Sequence, residues 1–216
     1  TYMEEEGRKR GQGYLRFDYR GHDESDGVFE DSTIGDWAQD AQDIFDHISG
    51  QYPGHAAVLV GSSMGGWIAL LLAKARSGTV RGLVGIAAAP DFTEEMFETR
   101  LSKEQQANLM ATGVAEVAND YSDEPYIFTK DFYEEAKKHL LLTLPQNITF
   151  PIRLVQGMLD KDVPWESAVK IQKNFVGSEV DIVFVDDGDH RLSRAEDLDL
   201  INREISSLSE DIARNG

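Results

Sequence analysis

The sequence predicts an α/β fold, a mostly parallel sheet flanked by helices and carrying one helical insertion. Three observations predict it. Short apolar runs alternate with longer segments whose apolar residues recur at three- and four-residue steps, the rhythm of strand-helix-strand units. The run Ala57 to Val60 is continuous, as a parallel strand covered on both faces would be, and Leu83 to Ala87, Ile152 to Val155 and Ile182 to Val185 read as short apolar strands. Finally, Gly61-Ser62-Ser63-Met64-Gly65 joins the first of these runs to Trp67 to Ala73, which is apolar almost all round, and so reads as a strand-turn-helix corner.

Taken in order, Thr1 to Gly13 reads as the end of a helix, with Glu4-Glu5-Glu6 ahead of the basic Arg8-Lys9-Arg10 and Gly11 to terminate it. Tyr14 to Tyr19 reads as a strand, and Arg20-Gly21 opens a polar loop running to about Ser32. Thr33 can cap the next helix, with Asp36 at the reciprocal position, and Ile34, Trp37, Ala38, Ala41, Ile44, Phe45 and Ile48 fall on one helical face. Pro53-Gly54 turns the chain into the strand before Ser63, and Gly78 is placed to end the helix after it. Residues 92–150 interrupt the alternation. They are mostly helical in pattern, with a helix expected from Lys130 to Leu141, and an insertion at the carboxyl ends of strands reads as a lid or cap within a single domain of residues 1–216. At the end, Leu198, Ile201, Ile205, Leu208 and Ile212 form a docking face.

The 216 residues suffice for one large core, and 21 Lys plus Arg against 39 Asp plus Glu leave a net charge of −18. Such a chain repels nucleic acid and anionic membrane surfaces. With no cysteine there are neither disulfides nor thiol metal sites, and no apolar run is long enough to span a membrane. The opening Thr1-Tyr2-Met3 matches neither a signal-peptide nor a transit-peptide pattern.

In G-x-S-x-G the glycines allow a turn tight enough to hold the serine in a strained, exposed pose. Ser63 is therefore the candidate nucleophile, and a serine hydroxyl needs a base. Of His22, His47, His55, His139 and His190, only His190 follows a loop that could carry the acid, and it lies just beyond the strand ending at Val185. The acid belongs in Gln156 to Trp165, where Asp160 and Asp162 compete. A triad carboxylate must point inward to fix the histidine tautomer, which favours Asp160; Asp162 suits a cap for a helix beginning near Pro164. The backbone N–H of Met64 would supply one oxyanion donor, while Met158 and Trp165 could line an acyl pocket. His22 helps shape the pocket rim, His47, His55 and His139 read as surface or helix residues, and no metal site is assigned.

Arg16-Phe17-Asp18-Tyr19-Arg20-Gly21, Gly61 to Trp67, Pro151-Ile152-Arg153-Leu154 with Gly157, Asp160 and Val163-Pro164-Trp165, and Asp189-His190-Arg191 together resemble an α/β-hydrolase family. It is the family that includes the mitochondrial mycophenolic acid acyl-glucuronide esterase, also described as a palmitoyl-protein thioesterase, and its bacterial relatives. The resemblance implies an α/β-hydrolase fold and hydrolysis of a small-molecule carboxylic ester or thioester by Ser63, His190 and Asp160 through an acyl-enzyme. It implies no cofactor, and a location in the bacterial cytoplasm or, in a eukaryote, the mitochondrion. The family's spacing selects Asp160 as the acid, whereas Asp23 departs from a glycine common in the loop after Arg20. The alternatives are a serine peptidase of the same fold and a non-catalytic binding protein. Dehalogenases and epoxide hydrolases are disfavoured because they place Asp where this chain has Ser63. The related sheets begin with three strands and a glycine-containing loop that donates the second oxyanion N–H. Nothing before Tyr14 is similar, so roughly 30–40 further upstream residues are expected in the native protein, enough for three strands with turns.

Overall fold

The structure, a computed structural model, describes residues 1–117 and 125–215. The chain opens with helix α1 (Tyr2–Lys9), capped by the Thr1 hydroxyl accepting the Glu4 N–H and closed by Gly11 at φ +70°. Helix α2 (Ile34–Gln51) starts in the expected box: Thr33 accepts the Asp36 N–H while the Asp36 carboxylate accepts the Thr33 N–H. Strand β1 (Ala57–Ser62) leads through Ser63 into α3 (Met64–Ala75), and β2 (Val80–Ile86) follows. Then come α4 (Phe92–Glu95), α5 (Lys103–Thr112), the hairpin β3 (Val114–Val117) with β4 (Tyr126–Thr129), α6 (Lys130–Ala136) and the short β5 (Gln146–Asn147). Strand β6 (Ile152–Gly157), α7 (Glu166–Asn174), β7 (Phe175–Val176), β8 (Val180–Val185) and α8 (Ala195–Asn215) complete the chain.

The main sheet has the order β1-β2-β6-β8, with all three pairings parallel. Parallel neighbours put every carboxyl end on one side, so the segments after β1, β6 and β8 share one rim. Alternation along the strands divides the core in two. Leu83, Ile152 and Leu154 join Trp37, Trp67, Ile68 and Leu70 on one face, while Val84 and Val155 meet Ile201, Ile205 and Leu208 of α8 on the other. Helix α1 joins the second layer through Met3 and through a Tyr2 hydroxyl bond to Asp199 at 2.5 Å.

Five expectations are corrected here. Tyr14 to Tyr19 is not a strand: among the described residues no segment pairs with it, and a strand exists only through its ladder. Phe17 and Tyr19 still turn toward the core, which is why the sequence alternates there. Strand β1 lies at the edge of the sheet and leaves Val60 47% exposed, so its apolar run is not covered on both faces. Gly78 does not end α3, whose C-cap is Arg76; the glycine sits in the following turn. The helix from Lys130 stops at Ala136 and continues as a 3₁₀ turn over Lys137–His139, because residues 141 and 142 give their N–H groups to the Asp91 carboxylate instead of to a helical ladder. Residues 92–150 are also less helical than their pattern, since they contain the β3–β4 hairpin.

Candidate active site

Ser63 has φ +52° and ψ −124°, a conformation that costs about 1–3 kcal/mol for a side chain with a Cβ and persists only where the surroundings enforce it. Here they do. The Ser63 N–H donates to Ile86 O at 2.9 Å, and the Ser63 carbonyl accepts from Gly66 at 2.9 Å and Ala89 at 3.0 Å, so the residue is pinned to the end of β2. Gly61 makes the corner possible because a Cβ there would lie 2.3 Å from the Gly65 carbonyl oxygen. Gly65 itself is not constrained this way: a Cβ there would meet nothing within 4 Å, which corrects the expectation that both bracketing glycines are needed for room.

The imidazole of His190 is held between two partners. Its Nε2 is 3.2 Å from Ser63 Oγ, and its Nδ1 is 2.9 Å from Asp160 Oδ2. The Asp160 side chain is fully buried, and its Oδ1 accepts the N–H groups of Asp162 at 2.8 Å and Val163 at 2.9 Å. The loops bearing the two side chains are laced together, with Met158 donating to Val185 O and Leu159 to Gly188 O, each at 2.9 Å. Their approach depends on Gly157, where a Cβ would lie 2.4 Å from Gly188 O. Burial pushes the Asp160 carboxyl up, but the His190 bond and the two backbone donors outweigh it and hold it below its usual range. Burial likewise pushes His190 down, and its bond to Asp160, with the charges of Asp160, Asp162 and Asp189, lifts it above the ordinary histidine value.

A hydroxyl, an imidazole and a buried carboxylate in line at such distances have the geometry that nucleophilic catalysis by a serine needs, and comparison with known proteins gives the family. The Hydrolase_4 family model, described as serine aminopeptidase, S33, matches residues 8–137. The mitochondrial palmitoyl-protein thioesterase ABHD10 of Mus musculus is 35% identical over 207 residues, covering 95% of this chain and 68% of that protein. The chain belongs to this α/β-hydrolase family. Its fold agrees equally: the solved mouse ABHD10 superposes with a TM-score of 0.89 at 33% identity, covering 98% of this chain and 83% of that one. A protein of Agrobacterium vitis S4 described as a hydrolase gives 0.89 at 38% identity, covering 96% and 80%. The chain spans 66% of the length of the human ABHD10 protein.

In this α/β-hydrolase the remaining expected residues are distributed as follows. Asp162 does not cap a helix, because α7 begins at Glu166 with Trp165 as N-cap and no side-chain cap bond. Its carboxylate instead lies 3.8 Å from Arg100, whose guanidinium also donates to the Asp162 carbonyl oxygen. Asp160, Asp162 and His190 bring ligand atoms within 4.8 Å of one another, but a cation there would displace the Nδ1 proton and face Arg100. Met64 is the first residue of α3, where a backbone N–H has no intrahelical acceptor and the helix dipole favours negative charge. Met158 and Trp165 flank the acid loop and are 37% and 39% exposed, so Trp165 is not a core residue; its ring lies edge-on to Phe184 at 6.0 Å. His22 packs edge-on against Tyr19, Phe29 and Trp37. His47 and His55 are exposed, and His139 sits 2.6 Å from Glu135.

Sequence reasoning passed over Gln156. It is 1% exposed, and its amide lies 3.2 Å from Asp160 Oδ2. The signal was an uncharged polar residue following Leu154 and Val155 near the carboxyl end of a buried strand.

Proposed function

We propose that the chain hydrolyses carboxylic esters or thioesters by a Ser63-His190-Asp160 triad through an acyl-enzyme intermediate. The observation that carries this reading is the continuous chain from Ser63 Oγ to His190 to the buried Asp160, mounted on a strained serine corner. Ser63 Oγ attacks the acyl carbonyl as His190 Nε2 takes its proton, and the oxygen that becomes negative lies toward the Met64 N–H. His190 returns the proton to the departing alcohol or thiol. Water, deprotonated by the same nitrogen, then releases the acid. The name of the mouse relative makes a thioester the first substrate to try. Neither this chemistry nor the residues assigned to it call for a cofactor or metal. Among the described residues no helix is long and apolar enough to cross a membrane. Residues 92–150 act as a cap over the site within one domain, and Met158 and Trp165 line the acyl path.

The test is a panel of acyl esters and thioesters of graded chain length, run beside peptide anilides. Turnover of the acyl substrates supports the reading. Selective cleavage of peptides would replace it with the peptidase that the family's description suggests, and no turnover at all would leave a binding protein. Within the same panel, substitutions in residues 92–150 should change chain-length preference about tenfold while altering hydrolysis of an acetyl ester less than threefold, since remote contacts set specificity and the triad does the chemistry. Equal losses on both substrates would reduce the segment to a structural role.

The pH profile follows from His190. The base works only when neutral, so kcat/KM should rise with pH with a midpoint above the ordinary value of 6.5, because Asp160 favours the charged ring. Stability runs the other way: a histidine raised by folding stabilises the native state fully below its unfolded pKa, and that contribution fades as pH rises through the folded value. Asp160, lowered by folding, stabilises above its unfolded value and loses this as pH falls through the folded one. A midpoint below 6.5 would mean that burial outweighs the bond to Asp160, and activity with no rising limb at all would remove His190 as the base.

A further inference from the structure

Gln156 is the last residue but one of β6, and its Nε2 faces three acceptors. Its Nε2 lies 3.2 Å from Asp160 Oδ2, 3.0 Å from the Val163 carbonyl oxygen and 3.3 Å from that of Gly157. Because all three partners accept, the amide's donor end has to face them, and its orientation is decided by chemistry rather than by choice. The bond to Asp160 goes to the same oxygen that receives His190 Nδ1 at 2.9 Å. The other oxygen already takes the N–H groups of Asp162 and Val163. The carboxylate is thus gripped by four donors, two on each oxygen. Through Val163 O and Asp160 Oδ2 the same amide holds two points of the acid loop.

We propose that Gln156 is a positioning residue of the triad, whose side-chain amide clamps the acid loop so that Asp160 Oδ2 stays aimed at His190 Nδ1. This rests on the triad reading above. The amide suits the task because it donates and cannot ionise, so it favours the charged carboxylate at every pH at which His190 works. The other charged groups around the pair cannot take its place. Asp162 is an acceptor facing Arg100 from the insertion, Asp189 spends its carboxylate on the Arg191 and Leu192 N–H groups, and the Arg100 guanidinium reaches the carbonyls of Lys161 and Asp162 rather than Asp160.

Gln156→Glu keeps the shape but replaces the two amide N–H donors by one O–H that is lost on ionisation, and so separates positioning from packing. While the new carboxyl is protonated its O–H can still donate to Oδ2. Once ionised it places a second negative charge against Asp160, and the two carboxyls titrate as a coupled pair. The wild type should show activity rising to a plateau. Gln156→Glu should instead give a bell, with a new alkaline limb and kcat about 10–100-fold lower at the plateau pH, while KM stays within about twofold. Gln156→Met, which adds no charge, should lower kcat across the range without an alkaline limb. The His190 Nδ1–H proton resonance, followed by NMR against pH with no substrate, should weaken in Gln156→Glu along the same limb and be altered at all pH in Gln156→Met.

A Gln156→Glu enzyme with the wild-type profile and resonance would overturn the proposal, as would a loss equal at every pH with the resonance unchanged. If the Glu variant does not fold, as melting curves would tell, the Met variant decides, and wild-type kcat and resonance there would equally overturn it. The NMR arm needs no turnover. A wild type that cleaves no ester but whose His190 resonance still depends on Gln156 would therefore defeat the proposed reaction and leave the positioning role standing.

Discussion

Ser63→Ala is expected to lower ester or thioester turnover by ~10⁴-fold or more and to abolish labelling by a fluorophosphonate probe. The size follows from the corner. The backbone around residue 63 is fixed by Ile86, Gly66 and Ala89, so alanine inherits the same φ and the variant should melt close to the wild type. Only the Oγ that His190 Nε2 faces at 3.2 Å is lost. What survives should be the contribution of substrate binding and of backbone donors such as Met64, which no side-chain change at 63 removes. Peptide mapping should find the probe on Ser63 and not on the neighbouring exposed Ser62. Labelling of Ser62, or an active Ser63→Ala enzyme, would refute the nucleophile.

Much of the site was legible because its signals are local. The Ser63 corner needs only a strand, a tight turn and a helix in succession, and Thr33 with Asp36 needs only a spacing of three residues. His190 and Asp160 were findable because a parallel sheet puts successive strand ends on one rim, so position after a strand stands in for distance in space. Two failures are local, Gly78 two residues past the true cap of α3 and Gly65 with room to spare, and the larger ones are long-range. Tyr14 to Tyr19 alternates like a strand, yet whether it is one depends on a partner elsewhere in the fold. The helix from Lys130 stops where Asp91, fifty residues away in sequence, captures the next N–H groups. Asp162 looked like a cap because the sequence could not show that α7 starts two residues beyond Pro164, or that Arg100 would reach the acid loop from the insertion. Gln156 was missed because its meaning lies in three acceptors that only folding assembles.

The two aspartates of the acid loop give the last and sharpest contrast. Asp160→Asn should lower kcat/KM by ~10⁴-fold, while Asp162→Asn should change it no more than about threefold. Asparagine at 160 cannot turn its amide to suit His190, because the N–H groups of Asp162 and Val163 both require an oxygen at the Oδ1 position. The NH₂ group therefore takes the place of Oδ2, where it meets the Nδ1 of His190 and the amide of Gln156, two groups that also donate. The histidine escapes by moving its proton to Nε2, the nitrogen that faces Ser63, and a protonated Nε2 cannot accept the serine proton. At 162 the change removes one charge 3.8 Å from Arg100 and one of the charges that raise His190, so the pH midpoint should move slightly down while the plateau holds. Steady-state kinetics across the pH range on both variants decide the matter. The opposite ranking would transfer the acid to Asp162 and leave the buried, four-donor carboxylate at 160 as a purely structural group.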